Sequence, residues 1–73
     1  MQSDEQIEFW IATMKGIVKD QGIPKKQKES DLDDLEEQIK DRLDDSKLNF
    51  EDDYIADVMG RIADLRGLDS LPN

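Results

Sequence analysis

A chain of 73 residues with 19 acids, 10 bases, no cysteine and no histidine rules out much chemistry before any motif is sought. No disulfide braces it, no thiolate holds zinc, and the commonest metal ligand and general base are both missing. A chain this short buries only about 60% of the surface its unfolded form exposes, so its stability must come from efficient helix packing or from association.

The start, Met1-Gln2-Ser3-Asp4-Glu5, lacks the cationic and apolar runs of a signal peptide. No apolar stretch approaches the roughly 20 residues that span a bilayer. The reading is a single acidic helical domain over 1–73, cytoplasmic, with no membrane contact.

The first helix is expected at about 4–20. Ser3 and Gln6 have capping-box spacing, and Ile7, Trp10, Ile11, Met14, Ile17 and Val18 recur at helical intervals. Gly22 offers a left-handed stop, followed by Ile23 and Pro24. Residues 24–29 carry no apolar stripe, and three lysines (Lys25, Lys26, Lys28) would oppose a helix dipole there, so they read as a loop. An early helix start at Pro24 is the alternative.

Ser30 is then expected to cap a second helix at about 31–45, with Leu32, Leu35, Ile39 and Leu43 as its stripe. Asn49 is expected to cap a third at about 50–66, with Ile55, Val58, Met59, Ile62 and Leu65 inward. Gly67 and Leu68 repeat the stop chemistry, leaving 68–73 as a frayed tail. The fold class is therefore all-α: a small three-helix bundle with short connections, in which a homodimer is a second arrangement to consider.

The charge is uneven. Residues 29–57 hold thirteen acids against three bases (Lys40, Arg42, Lys47), a net of −10, and the rest nets +1. Such a field disfavours direct contact with nucleic acid or anionic membrane and favours a basic protein surface. Opposite the apolar stripe of the second helix lie Asp33, Asp34, Glu37, Asp41, Asp44 and Asp45. Charge runs are usually only solvated faces. Here, however, Asp34–Glu37, Glu37–Asp41, Asp41–Asp44 and Asp41–Asp45 are like-charged neighbours, each costing a few tenths of a kcal/mol. Repulsion tolerated in a marginal fold points to use as a partner-binding face. Glu51, Asp52 and Asp53 could extend it, but their place in a first helical turn already explains them.

A second surface comes from the outer side of the first helix, Phe9, Ala12, Thr13 and Gly16, and from the small-residue strip Ala56, Gly60 and Ala63 of the third. Burial of the first helix on both sides within the bundle is the plainer account; an oligomer interface is the functional one. Trp10, Tyr54, Met14 and Met59 read as core.

Catalysis is not expected. The acids sit on convex helix faces, the serines have no histidine to activate them, and Gly16, Gly22, Gly60 and Gly67 form no phosphate-binding spacing. No cofactor is expected and no metal: Asp31, Asp33 and Glu36 lack the glycine and terminal glutamate of a calcium loop. The lysine loop is too short to predict nucleic-acid binding and would instead neutralise part of the acidic face. The first functional reading is an inhibitor or regulator of a partner with a basic surface, a nucleic-acid-binding protein or nuclease, whose phosphate contacts the carboxylates would mimic. A phage or bacterial regulator would suit that description by association. The alternative is an assembly subunit that oligomerises through the apolar strips.

Overall fold

A computed structural model describes residues 3–70, with side chains described through Leu68. Three helices make an all-α bundle: α1 (Glu5–Lys19), α2 (Lys25–Leu43) and α3 (Asp52–Ser70). None of the described helices is long and apolar enough to cross a membrane.

The expected stripes form the core. Ile7, Ile11 and Met14 of α1 meet Leu32, Ile39 and Leu43 of α2 and Val58, Ile62 and Leu65 of α3, with Tyr54 completing the cluster. Trp10, Ile17, Val18, Leu35, Ile55 and Met59 are half-buried against it. No polar or charged side chain among the described residues is buried. Each fully buried aliphatic side chain contributes roughly 1.5–3 kcal/mol by leaving water.

The helix ends depart from the local signals in ways that have physical causes. Asp4, not Ser3, caps α1: its Oδ1 accepts from the Ile7 N–H at 3.0 Å. The same carboxylate also meets Arg42, 38 positions away, so one side chain does two jobs that Ser3 could not. Gly22 is not left-handed. Asp20 takes over the stop, its Oδ1 accepting from the Gly22 N–H at 2.8 Å in an Asx-type turn.

The expected loop at 24–29 is helix from Lys25, with Pro24 at the N-cap, close to the alternative early start, and Ser30 lies on the exposed face of α2 rather than at its cap. The Lys28 N–H donates to the Pro24 carbonyl at 2.9 Å, and the Gln27 side chain donates to Asp31 at 2.8 Å. The lysines that oppose the α2 dipole suit the end of α1. Lys28 Nζ donates to the Val18 carbonyl at 3.3 Å, placing a cation where the α1 dipole is negative.

At its other end α2 stops at Leu43, short of the expected 45, and Asp44 forms the C-cap. Asn49 does not cap α3. It adopts a left-handed conformation (φ 50°) in the connecting turn, and α3 starts three residues later. Asparagine tolerates that region better than other residues except glycine. α3 runs through Gly67 to Ser70, past the expected end at 66. Glycine permits a left-handed stop but does not impose one, and Leu68 stays 57% exposed without the contact that would fix such a turn. The tail expected at 68–73 is thus helical over 68–70; residues 71–73 lie outside those described.

Candidate functional site: the outer face of the second helix

Every arginine in the chain is committed to tying helices together. Arg42 of α2 grips Asp4 through Nε and Nη2 at 2.9 and 3.0 Å. Arg61 of α3 grips Glu8 of α1 through both terminal nitrogens at 2.9 Å. Arg66 of α3 reaches Asp33 of α2 at 2.7 Å and Glu36 at 3.6 Å. Tyr54 links the first two pairs: its hydroxyl accepts from the Asp4 N–H at 3.1 Å and donates to Glu8 Oε2 at 3.4 Å.

The charges respond accordingly. The Arg42 hydrogen bonds hold the Asp4 carboxyl below its ordinary range, against the smaller opposing effect of burial. The Arg61 hydrogen bonds do the same for Glu8. Burial pushes the Tyr54 hydroxyl up. This network gave no signal in the sequence, because its partners stand 38 to 53 positions apart and local periodicity carries no such information.

The six acids proposed as one face separate into two groups. Asp33 is partnered by Arg66 and helps seal the α2–α3 seam. Asp45 lies beyond the helix end and organises the connection: its Oδ1 accepts from the Lys47 N–H at 2.9 Å, and its carbonyl accepts from Leu48 and Asn49. Asp44 is the exposed C-cap. Asp34, Glu37 and Asp41 remain as a row on the outer side of α2, all exposed and with no ion pair to a base among the described residues. They share one face at i, i+3 and i+7, covering about 10 Å of helix axis. Lys40 and Arg42, the cations on either side of Asp41 in sequence, are bound to Glu36 at 2.9 Å and to Asp4 respectively.

The lysines of 25–28 do not meet the acidic row by any hydrogen bond or ion pair described, and Lys28 is turned to α1.

The second candidate surface is open, and the expected double-sided burial of α1 is overturned. α1 packs against both neighbours, and these meet each other over a shorter seam. All of this packing falls on the Ile7, Ile11 and Met14 side, leaving Phe9 64% exposed and Ala12 and Gly16 exposed beside it. Thr13 is half-buried, its hydroxyl donating to the Phe9 carbonyl at 2.9 Å. Ala56, Gly60 and Ala63 are exposed on α3, and a Cβ built on Gly16 or Gly60 would meet nothing within 4 Å.

Two open hollows accompany these faces. The larger, about 550 Å³, is lined by Ser3, Glu8, Glu51, Asp53, Tyr54, Asp57 and Arg61. The smaller, about 380 Å³, lies between α2 and α3 and is lined by Lys40, Asp41, Leu43, Asp44, Ile55 and Met59. No group of three or more potential ligands among the described residues is arranged to hold a metal ion.

No family model matches the chain, and comparison with curated proteins and with solved structures gives no match.

Proposed function

We propose that this chain is a binding protein that occupies a basic protein surface through Asp34, Glu37 and Asp41, continued by Asp44, and thereby inhibits or regulates its owner. The observation that carries this reading is the division of charge: all three arginines neutralise acids between helices, and none is spent on the outer row of α2. A row needed only for solubility would work equally well interleaved with lysines, which would also stabilise the helix.

Three carboxylates across about 10 Å of axis present a charge density of the same order as a DNA strand, with one phosphate per roughly 3.4 Å. Arginines arranged to grip phosphates would accept them. A nucleic-acid-binding protein or nuclease is therefore the preferred class of target. Catalysis does not enter the proposal: Glu8, one of the acids lining the larger hollow, is held ionised by Arg61 and is a poor proton donor near neutrality.

The test is capture of partners from host extract at low and high salt, with the chain and with a variant carrying Asp34→Lys, Glu37→Lys and Asp41→Lys. Loss of the partner in the variant and at high salt is expected. A partner retained in both would refute the reading.

A second reading is favoured by the exposed Phe9: α1 and α3 would associate with another copy through Phe9, Ala12, Thr13 and Gly16 and through Ala56, Gly60 and Ala63, with acidity serving solubility. Sedimentation at micromolar concentration separates the two, since a clean monomer removes the second.

A further inference from the structure

We propose that the groove between the C-terminal half of α2 and the N-terminal half of α3 docks a basic amphipathic helix of the partner. This rests on the reading of the chain as a binder of basic proteins and gives that partner a shape.

The groove lies where α2 and α3 have no described polar side-chain tie, between the Arg66 contact and the connecting turn 44–51. Arg66 ties α3 to Asp33 and Glu36 near the middle of α2. Among the described residues, no hydrogen bond or ion pair joins 37–43 to 52–60; Arg42 is drawn away to Asp4 and Tyr54 faces α1. The opening of about 380 Å³ has Leu43, Ile55 and Met59 as its apolar floor, with Ile55 and Met59 only half-buried.

The α3 side continues as a shallow ridge. Ala56, Met59 and Ala63 fall at i, i+3 and i+7, with Gly60 beside them, and all but Met59 are exposed. Small side chains at this spacing let another helix approach closely, and methionine adapts to varied apolar side chains.

Charge selects the occupant. Asp41 and Asp44 stand on the α2 wall, and Asp52 opens the α3 ridge one turn before Ala56. Lys40, the cation in the wall, is already paired with Glu36. An apolar floor beside a wall carrying Asp41 and Asp44 complements a helix with one apolar row flanked by lysine or arginine, the helix-in-groove mode of recognition. Asp41 belongs to both the groove wall and the outer row, so one ligand would be held by burial on one side and by ion pairing on the other.

The probe is a fluorescein-labelled peptide of about 18 residues, with leucines on one helical face and lysines elsewhere. Its control has the same composition with the leucines scattered. Anisotropy titrations use the full chain, the Ala56→Lys variant, which replaces an exposed side chain, and the Asp34→Lys/Glu37→Lys variant. Methyl-labelled methionine gives a direct second readout, with the buried Met14 as internal reference for Met59.

The amphipathic peptide should bind about ten-fold more tightly than the control, Ala56→Lys should remove that advantage, and the Met59 methyl signal should move while Met14 does not. Equal, salt-sensitive binding of both peptides with an unmoved Met59 overturns the groove but leaves the acidic-face reading standing. No binding of either peptide in dilute buffer overturns both. A dimer in sedimentation that Ala56→Lys dissociates would assign the groove to a second copy and overturn the proposal.

Discussion

Asp4 concentrates more of the fold than any other side chain. It caps α1, receives both Arg42 hydrogen bonds, and presents its own N–H to the buried Tyr54 hydroxyl. Asp4→Ala should therefore destabilise the chain by about 2 kcal/mol or more, from the lost cap and the stranded guanidinium. Tyr54→Phe should cost about 1–2 kcal/mol, because the Asp4 N–H loses its acceptor while the ring keeps its packing on Phe50 at 5.4 Å. Urea denaturation of the two variants measures both. The glycines behave oppositely. Gly16, Gly60 and Gly67 sit inside helices with open space around the missing side chain. Alanine at each should raise stability by about 0.5–1 kcal/mol, read as a higher melting temperature. An exposed glycine whose replacement strengthens the monomer is not there for the monomer's packing.

At the scale of the element, α2 is the helix that its own surface opposes. Glu37 lies between Asp34 and Asp41 on the outer face, one turn from each, while Lys40, three positions on, is bound to Glu36. Glu37→Gln removes two like-charge neighbours and should stabilise the chain by about 0.5 kcal/mol. Under the binding reading it should also weaken partner capture. A gain in stability accompanied by a loss of binding is the pattern of a residue kept for function. If capture is unchanged while stability rises, the outer row is only a solvated face. Raising salt should likewise raise the melting temperature of the parent chain more than that of Glu37→Gln, because screening and substitution relieve the same repulsion.

For the whole molecule, two of the arginine ties, Arg42–Asp4 and Arg61–Glu8, shape how stability responds to acid. Asp4 and Glu8 are held below their ordinary range by Arg42 and Arg61, so they stay ionised in the fold at pH values where the unfolded chain has begun to take up protons. Their contribution is complete above the unfolded values, near pH 4, and is lost as pH falls through the lower folded values. Thermal unfolding between pH 7 and pH 3 should show this loss. An Arg42→Met/Arg61→Met variant should start less stable and lose less on acidification. An equal acid response in the variant would mean that other carboxylates set it.

Much of this was legible in the residues themselves. The stripes Ile7–Ile11–Met14, Leu32–Ile39–Leu43 and Val58–Ile62–Leu65 follow from helical periodicity, which is a local property, and they became the core. The outer row of α2 followed from the same periodicity read on the opposite side. The ends of the helices did not follow, because several residues offered acceptable local chemistry and tertiary partners chose among them. Ser3 and Asp4 both suit a cap, and Arg42 made the choice. Lysines disfavour the start of α2, but the Val18 carbonyl at the end of α1 gave one of them a place.

The acidic residues show the same limit. Asp33, Asp34, Glu37, Asp41, Asp44 and Asp45 are alike in sequence, yet Arg66 takes Asp33 and the connecting turn takes Asp45. Composition, periodicity and the confinement of negative charge to one segment were determined by the sequence alone, since each depends on residues near one another along the chain. Which charges are neutralised, which apolar strips stay open and where a groove forms were decided only by the tertiary structure. Those properties depend on pairs of residues that only the packing of three helices brings within reach.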